Sequence, residues 1–382
     1  MIPNRWTNKR PGLFRRGPAR SNQTGLEIRR VVCGLLLLAV PAVLLPARVP
    51  AAEPSVVDSL GRKIVVPAKV ERIGTLYAFT AHVVAMLGKA EKIVAVSNGP
   101  KRDILLNRMH PEIQKALVPK YQGAINIEEL ARARPDIVFV SSETGLDAAE
   151  GGKLDSFSIP WVAVDYRTMA QQRAVVAMIG TLINAAAKAE EFNDAYLACL
   201  ARVENALSAV PEIERVRVYL ATHEPTRTAL PESLPSDWLR SAGAINVAAA
   251  ADRDPMAGNT QVSIEQVLMW NPQVILANEP GTAAWIRSSP QWSAVAAVRE
   301  GKVFQMPIGI SRWGHPGSLE TPLAVLWTAK TLYPDLFKNV DMRKELKRFY
   351  KTFFGYDLSK EMVERVLAGK GMRLTKNRKK LQ

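Results

Sequence analysis

Polar, charged and aromatic side chains follow one predicted strand after another in this chain of 382 residues. In open parallel sheets, ligands gather beyond the carboxyl ends of the strands, so these positions are candidates for a binding site. The alternative for each of them is an ordinary solvated loop residue. The candidates are Tyr77, Thr80, His82, Asn98, Arg102, Glu143, Tyr166, His223, Arg227, Trp238, Asn278, Glu279, Arg312 and Trp313.

These residue types suit an anionic ligand with flat faces. The planar guanidinium fork of arginine holds carboxylates or the negative charge of a metal complex. Arg102 and Arg312 are therefore predicted to act together as an anionic clamp. A large chelate also needs flat apolar walls with a few well-placed polar groups. The residues predicted to supply those walls are Tyr77, Tyr166, Trp238 and Trp313.

A bare metal ion is a weaker candidate for the ligand. The four histidines, at positions 82, 110, 223 and 315, include no pair at the i, i+4 spacing of a zinc-hydrolase helix. Haem remains an alternative, with Tyr77, His82, His223 or His315 as an axial ligand. His82 keeps two interpretations, a specificity residue or a helix residue facing water. We expect no tightly bound cofactor, and the identity of any metal stays open.

The charge distribution argues against a nucleic-acid partner. The formal net charge is +15, but residues 1–52 and 370–382 together hold 15 of the 51 Lys and Arg residues and only one acid. The rest of the chain is nearly balanced in charge. A nucleic-acid-binding domain needs a basic face on the fold itself, so this class of partner is not expected.

Residues 1–52 are predicted to be a signal peptide. Arg29 and Arg30 precede an apolar run over 31–45, and small residues follow as far as Ala52. This is the order of a basic region, a short apolar region and a cleavage site, so we expect export to the periplasm. An uncleaved membrane anchor is the alternative.

The elements that must position the candidate residues alternate between strands and helices. This alternation predicts parallel sheets with crossover helices. Residues 169–210 contain almost no Gly or Pro, and residues 186–208 within them predict one helix about 35 Å long, which can bridge two lobes. Strands are predicted over 72–76, 92–97, 136–141, 159–165, 216–221, 274–277 and 303–306, and shorter helices over 80–87, 127–133, 236–242, 264–269 and 322–332.

An internal repeat indicates that the two lobes are similar. The fifteen residues that begin at Asn126 recur 137 positions later, beginning at Ser263. Each copy places Glu or Gln three residues after the first residue, which is the spacing of a helix capping box. A short helix, a proline and an apolar strand follow in both. The predicted organisation is a signal peptide (1–52), an N-terminal α/β lobe (53–167), a helical segment (168–211), a C-terminal α/β lobe (212–340) and a C-terminal helix with a basic tail (341–382).

Several motifs in order resemble those of one family. They are Asp58-x-x-Gly-Arg, the two repeat units, Gly301-Lys-Val-Phe and Leu332-Tyr-Pro-Asp-x-Phe. Over residues 58–354 the chain resembles the class III solute-binding proteins of ABC importers for siderophores, haem, cobalamin and related chelates. The resemblance implies an α/β fold of two similar lobes with parallel-rich central sheets, joined by one long rigid helix, with the ligand held between the lobes.

The resemblance also implies a partner, the permease dimer of the transporter. In similar proteins an exposed Glu at the start of the repeated helix meets arginines of the permease, and Glu128 and Glu265 occupy those positions here. The alternative is that each Glu only complements its helix dipole. Family members often have Thr-x-Glu where this chain has Thr80-Ala-His82, which makes His82 a departure from the pattern.

The expected function is capture of an iron complex of the siderophore type and its delivery to the permease. The chain shows no Gly-x-Ser-x-Gly elbow, phosphate loop or glycine-rich dinucleotide turn, so we do not expect an enzyme. A haem, corrinoid or nickel chelate is the alternative ligand. A periplasmic metal chelatase and a sensor-associated binding subunit are further alternatives.

Overall fold

A computed structural model describes residues 55–249 and 261–371. The predicted signal peptide and nearly all of the predicted basic tail lie outside these ranges. The described part of the chain begins with a hairpin of two antiparallel strands, β1 (Ser55–Val57) and β2 (Lys63–Val65). Gly61 lies in the turn with φ of 76°, a conformation that glycine adopts without strain.

The N-terminal lobe is built on a six-stranded sheet of order β6-β5-β4-β3-β7-β8. All neighbours are parallel except β5 and β6. Its strands are β3 (Ile73–Thr75), β4 (Ile93–Ser97), β5 (Leu117–Tyr121), β6 (Ala124–Ile125), β7 (Ile137–Ser141) and β8 (Trp161–Val164). Its helices are α1 (Ala78–Met86), α2 (Asn98–Lys101), α3 (Ile104–Met109), α4 (Ile127–Ala133), α5 (Ser142–Leu146) and α6 (Ala148–Ser156).

Two helices then carry the chain to the second lobe. They are α7 (Met169–Leu182) and the 22-residue α8 (Ala186–Leu207), which is about 33 Å long at 1.5 Å per residue. The long connecting helix is therefore present as predicted.

The C-terminal lobe has a four-stranded parallel sheet of order β10-β9-β11-β12. Its strands are β9 (Val216–Ala221), β10 (Ala244–Asn246), β11 (Val274–Ala277) and β12 (Val303–Gln305). Its helices are α9 (Leu234–Ser241), α10 (Ile264–Trp270), α11 (Thr282–Ser288), α12 (Ala296–Arg299) and α13 (Thr321–Leu332), and the described chain closes with α14 (Met342–Phe354) and α15 (Lys360–Leu367).

Four strands of each sheet follow one topology. In the C-terminal sheet β9 lies between β10 and β11, with β12 beside β11. In the N-terminal sheet β3 lies between β4 and β7, with β8 beside β7, and β5 and β6 extend the sheet beyond β4. The repeated units α4–β7 and α10–β11 match in detail. Asn126 accepts a hydrogen bond from the Glu129 backbone N–H, and Ser263 accepts one from Gln266. The two-lobed α/β fold is confirmed.

One apolar core runs through both lobes and the helices between them. It includes Phe79 of α1, Phe192 of α8, Leu220 of β9 and Leu346 of α14. The Phe192 ring lies 5.2 Å from that of Phe353, which fastens α14 to the connecting helix. Within the described ranges, no helix is long and apolar enough to cross a membrane.

Candidate functional site

Four predicted residues converge at the carboxyl edge of the C-terminal sheet. His223 follows β9, Asn278 and Glu279 follow β11, and Arg312 lies in the segment after β12. Arg312 Nη2 lies 3.2 Å from His223 Nε2, and Nη1 is bonded to a carboxylate oxygen of Glu279. After β9 the chain adds β10 on one side of it, and then adds β11 on the other side. The crevice between β9 and β11 is therefore the topological switch point of the sheet, where ligands usually bind in this kind of fold.

His223 and a second histidine, His315, are held in defined tautomers. A guanidinium can only donate, so His223 Nε2 accepts and its Nδ1 carries the proton. The Gly317 backbone N–H donates to His315 Nδ1 at 3.0 Å, so the proton of a neutral His315 ring lies on Nε2. The two rings meet edge to face with centroids 5.2 Å apart. Both histidines therefore present an N–H group.

The environment keeps His223 uncharged. Burial and the positive charges of Arg312 and Arg227 lower the pKa of this imidazole below its ordinary value. A neutral ring with its proton on Nδ1 is the state that its contact with Arg312 requires. The buried Nδ1 has no hydrogen-bond partner among the described residues, so this N–H is left unsatisfied there.

Asn278 supplies a further donor beneath the cluster. Its Oδ1 accepts the His223 backbone N–H at 3.3 Å, which fixes the turn after β9. The residue is fully buried, and its Nδ2 lacks a partner in the described part of the chain. An unsatisfied buried amide costs roughly 1–3 kcal/mol, a cost that a ligand oxygen would offset.

A buried carboxylate holds the backbone that carries Arg312. Glu320 Oε2 accepts hydrogen bonds from Ser311 N at 3.0 Å and from Ser311 Oγ at 2.9 Å. The Tyr350 hydroxyl of α14 donates to Oε1 at 2.6 Å and accepts the Ile310 N–H at 3.0 Å. Burial raises the pKa of Glu320, and these donors oppose the shift. Sequence reasoning missed this support, because Tyr350 lies about forty residues downstream in an ordinary helical pattern.

Two predicted aromatic walls are instead part of the core. Trp238 and Trp313 are both fully buried, so neither offers a face to a ligand and this prediction is wrong. Trp238 Nε1 donates to the Gly314 carbonyl at 3.3 Å. A Cβ at Gly314 would lie 2.6 Å from the Trp238 ring, so the indole supports the Arg312 segment from behind.

Thr80 and His82 are also directed into the protein. The Thr80 hydroxyl donates to the Tyr77 carbonyl at 2.7 Å, and α1 begins at Ala78, two residues before the predicted start, with Tyr77 at its N-cap. His82 is 3 % exposed, and its Nε2 lies 3.0 Å from Asp103 Oδ2. His82 thus does not face water, so that interpretation is wrong, while its role as a specificity residue stays a prediction.

The N-terminal lobe contributes a pair of phenols. The hydroxyls of Tyr77 and Tyr166 lie 3.3 Å apart, and burial raises the pKa of both. Gly317 of the other lobe lies between Tyr77 and His315, since a Cβ built there would be 3.9 Å from the Tyr77 hydroxyl. The lobes therefore meet beside the histidine pair.

Four further candidates are exposed or half-buried. Asn98, Glu143 and Arg227 are exposed, and Arg102 is half-buried at the end of α2. Their contact with a ligand, including the clamp of Arg102 with Arg312, stays a prediction. Where side chains are described, no group of three or more His, Cys, Asp or Glu residues is arranged to hold a metal ion.

Glu128 and Glu265 occupy equivalent surface positions. Both are exposed in the first turn of the repeated helix, Glu128 on α4 and Glu265 on α10. Hydrogen bonds from its own backbone N–H and from Ser263 lower the pKa of Glu265. Their role in docking stays a prediction.

Two lobes of one topology, a shared core and a cluster of hydrogen-bond donors where the lobes meet define a solute-binding protein. Residues 73–308 match the sequence model of the family described as periplasmic binding protein. The chain belongs to that family. It is the binding component of an ABC importer and not an enzyme.

Relatives and solved structures agree with this assignment. The molybdate-binding protein MolA of Haemophilus influenzae is 28% identical over 323 residues, which are 78% of this chain and 90% of MolA. The structure of MolA bound to molybdate superposes with a TM-score of 0.72 at 26% identity, covering 80% of this chain and 99% of MolA. A periplasmic solute binding protein from Veillonella parvula gives a TM-score of 0.71 at 24% identity, covering 84% and 98%.

Proposed function

We propose that this chain captures a small metal oxyanion of the molybdate type and delivers it to an ABC permease. One observation carries the proposal. Arg312 and the two histidines, in the tautomers that their contacts require, present N–H donors within one cluster. These N–H donors match the oxygen atoms of an oxyanion. The similarity to MolA supports the same ligand class.

Ligand size separates this proposal from the iron-complex hypothesis. A siderophore complex, haem or corrinoid needs broad apolar walls. Of the four predicted walls, Trp238, Trp313 and Tyr166 are buried, and only Tyr77 is half-buried. A compact tetrahedral anion needs no such walls. An iron or nickel chelate is therefore the second choice, and its binding is an outcome of the test below.

The test is calorimetric titration of the purified protein with molybdate, tungstate, sulfate and ferric chelates. We expect tungstate and molybdate to bind, and Arg312→Ala to weaken them at least about tenfold, because a charge-assisted hydrogen bond contributes roughly 1.5–3 kcal/mol. Arg217→Ala is the matched control. Arg217 lies near the opposite end of β9, and its guanidinium donates to the Trp270 carbonyl.

Two results would contradict the proposal. One is tight binding of a ferric chelate with no measurable binding of either oxyanion. The other is oxyanion binding that Arg312→Ala leaves unchanged, since the donor cluster would then not be the site.

A further inference from the structure

Arg312 has a negative partner within the protein. Its Nη1 is bonded to Glu279, while its Nη2 faces His223. The carboxylate opposes the guanidinium charge, and His223 is held neutral. Glu279 therefore offsets part of the positive charge that would attract an anion to Arg312.

The two partners of this ion pair differ in their freedom to move. The Arg312 side chain is 15 % exposed and the Glu279 side chain 31 % exposed. The backbone next to Arg312 is fixed by the Ser311–Glu320 hydrogen bonds. Glu279 lies just before the turn at Gly281, on the solvent side of the pair. When an anion arrives, Glu279 is the partner that can turn out to water.

We propose that Glu279 is a displaceable counter-ion, which occupies Arg312 in the empty site and sets both the affinity and the charge selectivity of binding. This inference rests on the proposed oxyanion function. An anionic ligand must replace the Glu279 carboxylate at Arg312 Nη1. The displaced carboxylate then stays nearby, and its negative charge repels the ligand. Glu279 thereby weakens binding, which suits a protein that must release its ligand to a permease.

The test compares two tetrahedral anions of similar size, the dianion tungstate and the monoanion perrhenate. Glu279→Gln is expected to tighten tungstate about tenfold and perrhenate about threefold, because a Coulomb energy is proportional to the ligand charge. Glu279→Ala, which also removes the hydrogen-bonding group, should shift both in the same direction. Affinities are measured by calorimetry, and circular dichroism with thermal unfolding verifies that each variant is folded.

Glu300→Gln is the matched control. This exposed carboxylate pairs with Lys302 just before β12, at the end of the strand away from the site. It should leave both affinities unchanged.

The possible results distinguish the counter-ion role of Glu279 from the proposed oxyanion function. If Arg312→Ala abolishes oxyanion binding but neither Glu279 variant tightens tungstate, the counter-ion role is wrong and the proposed function stands. Equal gains for tungstate and perrhenate would also overturn the charge mechanism. If the parent protein binds neither oxyanion, the proposed function and this inference are both wrong.

Discussion

His223 combines several constraints in one residue. Its φ of 66° lies in the left-handed region, which histidine visits more readily than most residues. Its backbone N–H is held by Asn278, and its ring is held by Arg312. Together these contacts fix which ring nitrogen carries the proton. Protonation of the second nitrogen would place another positive charge against the guanidinium.

The lowered pKa of His223 predicts how stability depends on pH. Below the ordinary pKa of 6.5, the unfolded chain binds a proton at this residue while the folded chain still resists it. The free energy of unfolding therefore includes the full contribution above pH 6.5 and loses it as the pH falls toward the lowered pKa. Urea unfolding at pH 7.5, 6.5 and 5.5 measures this effect. His223→Gln should lose less stability over the same range, and an equal decline in the variant would argue against the assignment.

Helix α14 has a role at the scale of elements that its own sequence does not show. It packs against α8 through Phe192 and Phe353, and Tyr350 reaches the buried Glu320. One helix near the C-terminus thus supports the segment that carries Arg312. This explains why a residue remote in sequence from the site is expected to affect binding.

Tyr350→Phe tests that role. The change removes a donor to Glu320 and an acceptor for the Ile310 N–H, so we expect a loss of about 1–3 kcal/mol in the free energy of unfolding. We also expect weaker ligand binding, because the Arg312 segment loses a support. Urea denaturation and calorimetry measure the two effects.

Tyr356→Phe is the control for this prediction. Its hydroxyl faces the Met362 sulfur at 4.0 Å, a weak contact, so little change is expected. Equal effects of the two substitutions would show that the Glu320 network does not position the site.

At the scale of the whole molecule, the shared core limits how far the lobes can move. A single apolar cluster includes residues of both lobes and of α8 and α14, so a wide opening would expose much buried surface. We expect ligand entry to depend on side chains such as Glu279 and not on a large hinge motion. The two lobes then present a nearly constant surface to the permease.

That surface leads to the docking prediction. The double variant Glu128→Lys and Glu265→Lys should abolish uptake in cells while ligand affinity in vitro stays within a few-fold, because both carboxylates are exposed and their helices also lie far from Arg312 in sequence. Uptake of labelled ligand and calorimetry measure the two quantities. The matched control is Glu129→Lys with Gln266→Lys, one position along each helix. A large loss of affinity in the Glu128 and Glu265 variant would place these acids in the ligand site.

Much of the fold follows from local patterns. The repeat beginning at Asn126 and Ser263 carries its own caps and proline stops, so α4, β7, α10 and β11 were predictable within one or two residues. The bridging helix was also predictable from a local pattern, because its 22 residues lack Gly and Pro. Short elements such as β10, with three residues, offer too few positions for a periodic pattern.

The site depended on packing that no local pattern contains. The rule that residues following parallel strands lie at one edge of the sheet correctly grouped His223, Asn278, Glu279 and Arg312. The same rule could not tell which side chains turn outward. Trp238 and Trp313 became core, whereas His223 and Arg312 stayed at the sheet edge. The tautomers of the two histidines and the pairing of Arg312 with Glu279 depend on contacts between residues tens of positions apart, which exist only once the chain has folded.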